Sequence, residues 1–355
     1  MSVPDATPAA PPRTFPWKRA GLCCVVFLLA LGVGWMTAPV WGVFTDRVPE
    51  TGSWIVPFLQ SAWPVGLALL VAALAALVWL TLSRRAAVGA TVAAVVVCTA
   101  TVLVPGALSR VAQKMPEEKD ADTVRILSVN TWYHQASDEF LAQTAREMDA
   151  DIVVLPESSG VQASAVADAT DLELLQPVST RTRGGGTALL VRETWMTEAA
   201  AESVADLHLT RHQNPVVELE NLTMMGVHTN APAHSHLVDG WVTEMADLRD
   251  WASGVDGPLV MAGDFNSTTA HPELRRLAGR SAEMTDCGGG LFAAPTWPRA
   301  GTPSPVPVLR LDHILVRGLT CQDSGVVGVR GSDHAGIWAD LRGVTGGVSG
   351  ADLTE

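Results

Sequence analysis

The second half of the chain holds five polar motifs whose residue types could do metal and acid–base chemistry. Carboxylates are hard oxygen ligands, which Mg²⁺ takes from proteins together with water and phosphate oxygens. Histidines transfer protons near neutral pH. No motif for structural zinc, a serine nucleophile or a phosphate-binding Walker loop is present in the sequence. The five motifs are Asn130; Glu157; His228-Thr229-Asn230; Gly263-Asp264-Phe265-Asn266; and Asp312-His313 with Ser332-Asp333-His334.

Each of these residues, taken alone, has a plainer interpretation. Glu157 could be a solvated carboxylate at a strand end. Asp264 and Asn266 could cap the helix that follows them, since Asp and Asn are favoured at that position. His313 adjoins Asp312, and a structural role for it is favoured over a direct one. The complete set in this order is what indicates a functional site.

Two further groups invite a binding interpretation, but a plainer one is favoured. His234 and His236 could hold a second metal, although a polar loop beyond the strand that ends at His228 explains them better. The three glycines at 184–186 could cradle a phosphate, yet no helix pattern follows them, as such a cradle requires. We expect a turn into the strand Thr187–Val191 instead.

The apolar runs before the motifs are predicted to be strands that present the polar residues at one rim. Thr123–Asn130 and Asp151–Leu155 are strand patterns, and Ser137–Ala150 between them has apolar residues at helical spacing. Strand, helix and strand in succession predict an α/β domain. The other predicted elements are a helix at 236–252 and strands at 172–178, 186–192, 214–220, 222–228, Pro258–Ala262, Leu309–Arg317 and Ala335–Leu341.

The order of the motifs resembles the endonuclease/exonuclease/phosphatase superfamily, a Mg²⁺-dependent phosphodiesterase fold shared by DNase I-like nucleases, sphingomyelinases and inositol phosphatases. The resemblance runs from about Val124 to Leu341, and Gly263-Asp264-Phe265-Asn266 with Ser332-Asp333-His334 carries it. Thr296-Trp297-Pro298 adds a likeness to bacterial members. The resemblance implies a four-layer α/β sandwich of the DNase I type that hydrolyses a phosphoric ester or anhydride.

The same resemblance implies a metal-binding side of the site. Glu157 would bind the catalytic Mg²⁺, or Mn²⁺ in its place, with Asn130 beside it and Asp333 as a further carboxylate on the metal side. Many family members have a Gln before this Glu, whereas Pro156 stands there in this chain. Proline has no N–H and offers no side-chain hydrogen bond, so we expect the support of Glu157 to differ.

The resemblance also implies a catalytic side. His334 would act as general base on the attacking water, with Asp312 fixing its tautomer, as the orienting carboxylate of a triad does. His228 would donate a hydrogen bond to a non-bridging phosphate oxygen and stabilise the charge that develops there. Asp264 would orient or protonate at the reaction centre, and Asn266 would hold the phosphate.

The first part of the chain predicts a membrane anchor. Apolar stretches at 20–41, 55–82 and 86–108 contain no charged residue. Each is long enough for a helix that crosses the hydrocarbon core, which takes about 20 residues. We therefore predict three transmembrane helices within 20–108. The Lys and Arg residues near the stretch ends favour a cytoplasmic tail at 1–19 and place residues 109–355 outside the cell.

The rest of the chain is predicted to comprise a tether at 109–122, the α/β domain at 123–342 and a loose tail at 343–355. Residues 1–108 hold 6 of the 24 Lys and Arg residues and 3 of the 37 Asp and Glu residues, so they carry +3 and the remainder −16. So acidic a domain lacks the basic surface that grips nucleic-acid phosphates. Nucleic acid is therefore the less favoured partner.

These observations predict a membrane-anchored phosphoesterase that acts on a lipid-linked substrate, since confinement to the bilayer raises the effective concentration of such a substrate. Three spans before an outward-facing domain also resemble the VanJ-type teicoplanin-resistance proteins, which implies an isoprenoid lipid carrier of wall synthesis. Two alternatives stay open: an extracellular membrane-tethered nuclease and a non-catalytic membrane-anchored binding module. No particular oligomeric state is predicted.

Two of the five cysteines, Cys287 and Cys321, fall in the acidic domain. In an oxidising compartment they could form a disulfide. Two separate buried thiols are the favoured alternative, because sequence alone does not show that the two Cα atoms are close enough.

Overall fold

The computed structural model describes residues 16–40, 54–81, 84–111, 113, 115–175, 178, 185–279, 283–290, 293–299 and 307–343. Most of the predicted N-terminal tail, Gly184, and the predicted C-terminal tail beyond Gly343 lie outside the described residues. The chain divides into two compact units, one formed by residues 1–37 with 62–101 and the other by residues 38–61 with 102–355.

Helices make up the first part of the chain. They are α1 (Pro16–Met36), α2 (Ile55–Ser61), α3 (Trp63–Thr81) and α4 (Arg84–Val111). Within the described residues, two segments are long and apolar enough to cross a membrane, namely α3 over its 19 residues and Arg85–Pro105 of α4. Little of either segment is buried, as expected for helix surfaces that face lipid and not a protein core.

The helices differ from the three predicted spans in two places. α1 is 21 residues long and ends at Met36, so its apolar part, Gly21–Met36, is shorter than the predicted stretch 20–41. The predicted stretch 55–82 is divided into α2 and α3. Pro64 lies in the first turn of α3, where a residue without an N–H is well tolerated, and the chain therefore starts a new helix there.

In the first unit, α1 and α3 approach each other closely at two glycines. A Cβ added to Gly32 would lie 2.8 Å from the Leu70 Cα, and one added to Gly66 would lie 2.7 Å from the Met36 nitrogen. Small residues at a helix crossing allow this close approach of the two backbones.

The second unit contains two six-stranded sheets among its described residues. The sheet orders are β11-β12-β1-β2-β4-β3 and β5-β6-β7-β8-β10-β9. Each sheet is built around one parallel pair, β1 with β2 and β7 with β8, and the other pairings are antiparallel. The strands are β1 (Thr123–Ser128), β2 (Ile152–Ser158), β3 (Leu172–Leu174), β4 (Gly186–Arg192), β5 (Ala205–Asp206), β6 (Pro215–Leu219), β7 (Leu222–His228), β8 (Leu259–Asp264), β9 (Thr285–Asp286), β10 (Asp312–Arg317), β11 (Thr320–Gly328) and β12 (Ala335–Arg342).

The predicted four-layer α/β sandwich is confirmed by three apolar clusters. Ile126 of β1 and Val217 of β6 belong to the cluster between the two sheets. Leu127 packs with helix residues on the outer face of the first sheet, and Met225 packs against Trp241 on the outer face of the second. The helices of this unit are α5 (Asp138–Glu147), α6 (Gly160–Asp168), α7 (Glu198–Ser203), α8 (Ser235–Gly254) and α9 (Pro272–Leu277).

Some predicted elements are placed differently. The last strand of the second sheet begins at Asp312, three residues later than predicted. The edge strand β11 was not predicted, and of the stretch 172–178 only Leu172–Leu174 is a strand, with residues 176 and 177 outside the described ones. The favoured prediction of two separate thiols is wrong. Cys287 and Cys321 form a disulfide with a Cα–Cα distance of 5.8 Å.

Candidate active site

The site lies at one edge of both sheets, where the parallel pairs end. Asn130 follows β1, Glu157 lies near the end of β2, and His228 and Asp264 are the last residues of β7 and β8. In the second sheet His228 and Asp264 are directly paired across neighbouring strands, and Asp264 is paired with Asp312, the first residue of β10. The sandwich thus brings polar groups from both sheets together.

Asn130 connects the two sheets through a single amide. Its Nδ2 donates to Glu157 Oε1 at 3.1 Å and to Asp264 Oδ2 at 2.9 Å, and it is 1% exposed. Its Oδ1 accepts the N–H of Trp132 at 2.9 Å. The amide therefore fixes both carboxylates, although the sequence predicted only that it stands beside the metal.

The second oxygen of Glu157 is held by the backbone. Tyr133 donates its N–H to Glu157 Oε2 at 2.9 Å. The three consecutive residues Trp132, Tyr133 and His134 have φ values of 49, 52 and 55°, and Glu157 itself has φ 60°. Non-glycine residues adopt this left-handed region rarely and at an energetic cost, which is typical of functional sites. The backbone of this turn therefore supports the Glu157 carboxylate.

His228 lies beside Glu157, with its Nε2 3.7 Å from Glu157 Oε1. Its ring stacks on that of His212 with 3.9 Å between centroids. Its Nδ1 is buried and has no hydrogen-bond partner among the described residues. Burial, the neighbouring His212 and His334 hold the pKa of His228 well below its usual value, so the ring is neutral at physiological pH.

Asp264 is held by a backbone hydrogen bond and by the close packing of β7 against β8. Its Oδ1 accepts the N–H of Asn266 at 2.8 Å, and Asn266 Nδ2 in turn donates to the Thr229 carbonyl at 3.0 Å. Gly263 has φ 150°, and a Cβ added there would lie only 1.9 Å from the Val227 carbonyl oxygen. Glycine is required at this position so that β7 and β8 can approach.

His334 and Asp312 form a buried pair. His334 Nδ1 lies 2.8 Å from Asp312 Oδ2, and His334 Nε2 is directed to the other side, 3.9 Å from Asp264 Oδ2. Ser332 Oγ donates to the Asn130 carbonyl at 2.6 Å and accepts the N–H of His334 at 2.9 Å. The serine hydroxyl therefore links this pair to the backbone of Asn130, which follows β1.

Burial and close carboxylates set the charges of this pair. Burial and then the charge of Asp312 raise the pKa of Asp264 to about 7. Burial alone would lower the pKa of His334, but the carboxylates of Asp312 and Asp264 outweigh it and raise that pKa to about 10. Burial is also the main cause of a raised pKa at Glu157. Several negative charges thus meet in a poorly solvated space.

The acidic and histidine side chains satisfy the donor chemistry of a divalent metal site. Ligand atoms of Glu157, His228 and Asp264 lie within 4.8 Å of one another, and so do those of Asp264, Asp312 and His334. Asp312 Oδ1 is buried without a hydrogen-bond partner among the described residues. Oxygen-rich sets of this kind suit Mg²⁺ or Mn²⁺, and a bound cation would offset the crowded carboxylate charge.

Other predicted residues lie at the margin of the site or away from it. Asp333 lines the cleft, and its Oδ2 accepts a hydrogen bond from Trp297 Nε1 at 3.2 Å. His313 is fully buried on the opposite face of β10, 2.8 Å from both Asp286 Oδ2 and the Ser267 carbonyl oxygen. It therefore has the structural role that was favoured.

Three residues that support or line the site were not singled out in the sequence, namely Glu244, Arg211 and His212. Glu244 of α8 accepts hydrogen bonds from the Asn230 N–H and Nδ2, both at 2.6 Å, and from the Arg211 N–H at 2.8 Å. His212 stacks on His228. No motif marks these positions, because Glu244 occupies an ordinary place in a helix pattern and the other two lie in a loop.

A cleft of about 670 Å³ opens over the site. Its floor is polar and includes Glu157, Asp264 and His334. Among the described residues that line it, Arg211 is the only Lys or Arg. Its lining also includes six large apolar side chains, which we call the apolar wall: Trp54, Phe58, Trp132, Leu237, Leu309 and Leu311.

Fold and site together define a hydrolase of the endonuclease/exonuclease/phosphatase type. A sequence model of the Endonuclease/Exonuclease/phosphatase family matches residues 127–334, and the chain belongs to this family. Members of this family are phosphoesterases or nucleases, and the predicted family resemblance is confirmed at this level. No curated protein sequence matches the chain.

One solved structure supports the fold, and two more are similar to the chain at lower scores. A humanized TDP2 from D. rerio is similar with a TM-score of 0.50 and 16% identity, over 62% of this chain and 100% of the other. A functionally unknown protein from Enterococcus faecalis V583 has a TM-score of 0.46 and 15% identity, over 62% and 100%. A mannosyl-6-phosphatase from Bacteroides thetaiotaomicron has a TM-score of 0.44 and 14% identity, over 61% and 99%. At such identities the likeness concerns the fold alone.

Proposed function

We propose that this protein is a membrane-anchored, Mg²⁺-dependent hydrolase that cleaves a phosphate ester or pyrophosphate of a lipid-linked substrate at the outer face of the membrane. The observation that carries the proposal is the arrangement of Glu157, His228 and Asp264 within 4.8 Å, beside the buried Asp312–His334 pair. Metal ligands next to an oriented histidine are what hydrolysis of a phosphate requires.

Glu157 and Asp264 would hold the Mg²⁺, or Mn²⁺ in its place, with Asn130 keeping both carboxylates in position. A bound Mg²⁺ polarises the phosphoryl oxygen and offsets the charge that develops in the transition state. Neutral His228 carries one ring N–H, which it would donate to a non-bridging phosphate oxygen. The side chain of Asn266 is oriented by its bond to the Thr229 carbonyl and would contact the phosphate.

His334 would accept the proton of the attacking water. In the neutral ring, with Nδ1–H donating to Asp312, Nε2 carries a lone pair directed to the space beside Asp264. The carboxylates of Asp312 and Asp264 raise the pKa of His334 to about 10. A bound cation that offsets the charge of Asp264 would lower this pKa toward the range in which a histidine works as a base.

The substrate class is proposed from charge and from the apolar helices. The second part of the chain carries a net charge of −16, and Arg211 is the only Lys or Arg among the described residues that line the cleft. Such a site has few positive charges to neutralise the phosphates of a nucleic acid. Two helices suited to a membrane would keep the site close to lipids. The resemblance to VanJ-type proteins also supports an isoprenoid carrier as the lipid.

The outward orientation is proposed from two observations. The Cys287–Cys321 disulfide is typical of oxidising compartments. The Lys and Arg residues near the apolar stretches favour a cytoplasmic N-terminus. Together they support a catalytic domain outside the cytoplasm.

The test is phosphate release by the full-length protein, purified in detergent, from polyprenyl pyrophosphate. We expect release with Mg²⁺ or Mn²⁺ and none after treatment with EDTA. Glu157→Gln should lower kcat at least about 100-fold, since it removes a negatively charged ligand. Glu173→Gln is the matched control, because Glu173 is exposed on β3, and it should leave kcat unchanged.

Other outcomes would redirect the proposal. Nicking of plasmid DNA without phosphate release from the lipid would indicate the membrane-tethered nuclease. A cellular phenotype that survives both Glu157→Gln and His334→Ala would indicate the non-catalytic binding module.

A further inference from the structure

We propose that α2, with Trp54 immediately before it, selects the substrate by its hydrocarbon chain, and that Trp54 and Phe58 are the specificity-determining residues. The inference rests on the proposed function, since it concerns the part of the substrate next to the phosphate. It assigns a role to a short segment that precedes the whole catalytic domain in sequence, yet belongs to the same compact unit as that domain.

Buried polar contacts hold α2 on the catalytic domain. The Nδ1 of His271 accepts the N–H of Thr268 at 2.9 Å, so its proton is on Nε2. That Nε2–H donates to the Pro57 carbonyl at 3.0 Å. Ser61 Oγ also lies 2.9 Å from His271 Nε2. His271 is 2% exposed, so this contact is shielded from water. Before α2, the Pro39 carbonyl accepts a further hydrogen bond from the Arg275 guanidinium.

This attachment places two aromatic side chains on the cleft. Trp54 and Phe58 are 42% and 51% exposed, and their rings meet edge to face with 5.8 Å between centroids. They line the same cleft as Glu157 and His334. A tryptophan and a phenylalanine this exposed beside catalytic carboxylates present apolar area that a substrate can cover.

Three leucines complete the apolar wall. Leu237 lies in α8, and Leu309 and Leu311 lie in the segment before β10. The cleft therefore has a charged floor and an apolar wall, which matches an amphiphile with a phosphate at one end and a hydrocarbon at the other. Only Ala62 separates α2 from α3, which is suited to a membrane, so lipid is the expected source of this amphiphile.

The test compares two substrates that differ in hydrocarbon length and share the reacting group. Farnesyl pyrophosphate carries the longer chain and isopentenyl pyrophosphate the shorter one. In full-length protein with Trp54→Ala and Phe58→Ala together, we expect KM for the farnesyl substrate to rise about 10- to 100-fold, with kcat unchanged. Activity on the isopentenyl substrate should change less than about twofold, since most of its surface lies at the charged floor.

The matched control removes the same two residue types elsewhere. Phe27 in α1 and Trp79 in α3 are 67% and 68% exposed and do not line the cleft. The variant with Phe27→Ala and Trp79→Ala should keep the wild-type ratio of kcat/KM between the two substrates, measured in the same detergent.

The outcomes separate this inference from the proposed function. If the wild-type protein hydrolyses neither substrate, the proposed function fails. If it hydrolyses both and the α2 variant keeps the wild-type ratio, the inference is wrong while the proposed function stands. If the double variant loses both activities, the single variants Trp54→Ala and Phe58→Ala are measured instead. Each is expected to lower the ratio of kcat/KM for the farnesyl substrate to kcat/KM for the isopentenyl substrate. An unchanged ratio in both single variants overturns the role of α2.

Discussion

Asp312 and His313 are neighbours in the sequence, yet only one of them belongs to the site. Successive residues of a strand point to opposite faces, so Asp312 reaches His334 while His313 reaches Asp286. The family resemblance predicted that Asp312 orients His334, and these two side chains lie 2.8 Å apart. Which histidine pairs with Asp312 depends on how β10 lies against β8 and on the loop before β12, and spacing alone does not determine these.

Asn130 illustrates what the sequence left out at the residue scale. Its position after a strand predicted that it lies near Glu157. The bond from its Nδ2 to Asp264 depends on how two separate sheets pack, because the partners are 134 positions apart in the sequence. The same holds for Glu244, whose carboxylate fixes Asn230 from a helix face that the sequence shows only as amphipathic.

His271 gives a pH prediction at this scale. Burial lowers its pKa to about 4 from an ordinary 6.5, and the nearby Arg275 and His313 lower it further. The folded protein therefore favours the neutral ring. This contribution to stability is complete above pH 6.5 and is lost as the pH falls through 4, by up to about 3 kcal/mol.

The measurement is the difference in unfolding free energy between the wild-type protein and His271→Asn, in detergent, at several pH values. Asparagine keeps an acceptor near Nδ1 but does not titrate. The wild-type protein should lose stability relative to the variant between pH 6.5 and 4. A constant difference over this range would show that His271 does not titrate in the fold.

At the scale of elements, the sequence predicts buried strands well and exposed ones poorly. β1, β2 and β8 are almost entirely buried, and their apolar runs identify them. β11 begins with the polar stretch Thr320–Ser324 and is mostly half-exposed at a sheet edge, so its pattern gives no such signal. The break between α2 and α3 was hidden for a related reason, since both sides of it are apolar.

Gly263→Ala tests the close approach of β7 and β8. The added Cβ would lie 1.9 Å from the Val227 carbonyl oxygen, at a φ of 150°, so the parallel pair must separate. We expect a loss of about 3 kcal/mol or more in unfolding free energy, together with loss of activity. Gly254→Ala, at the end of α8, meets no atom within 4 Å and is the control. Equal thermal stability of the two variants would contradict the proposed strain.

At the scale of the whole molecule, composition predicted two different bodies on one chain. The apolar helices and the acidic catalytic domain account for the overall charge of −13 beside a positive mean hydropathy of +0.22. The number of spans was less predictable, because hydropathy counts apolar residues and does not register where a helix starts. The disulfide was also not predictable from the sequence, since it depends on how the residue after β9 packs against β11 of the other sheet.

The disulfide provides a prediction for the molecule as a whole. When cells are lysed and the protein is denatured in one alkylating reagent without reductant, three of the five cysteines should be alkylated, and all five when reductant is added first. Replacing both Cys287 and Cys321 by Ser should lower the unfolding free energy by about 3–4 kcal/mol, given their sequence separation of 34. Cys98→Ser should have little effect.

Five reactive thiols without reductant would contradict an oxidising location for the domain. The proposed outward orientation would then be wrong, whereas the proposed chemistry of the site would be untouched by that result.

The left-handed turn at Trp132–His134 has a consequence for how this enzyme can change. The Tyr133 N–H supports Glu157 through the backbone, so this hydrogen bond of the proposed metal ligand does not depend on the side chains of the turn. The chemistry and the shape of the cleft entrance can therefore evolve separately. Asn or Gly, which adopt this backbone region readily, could replace Trp132 while the carboxylate stays in place. A library at these positions is a direct way to redesign substrate range without rebuilding the catalytic centre.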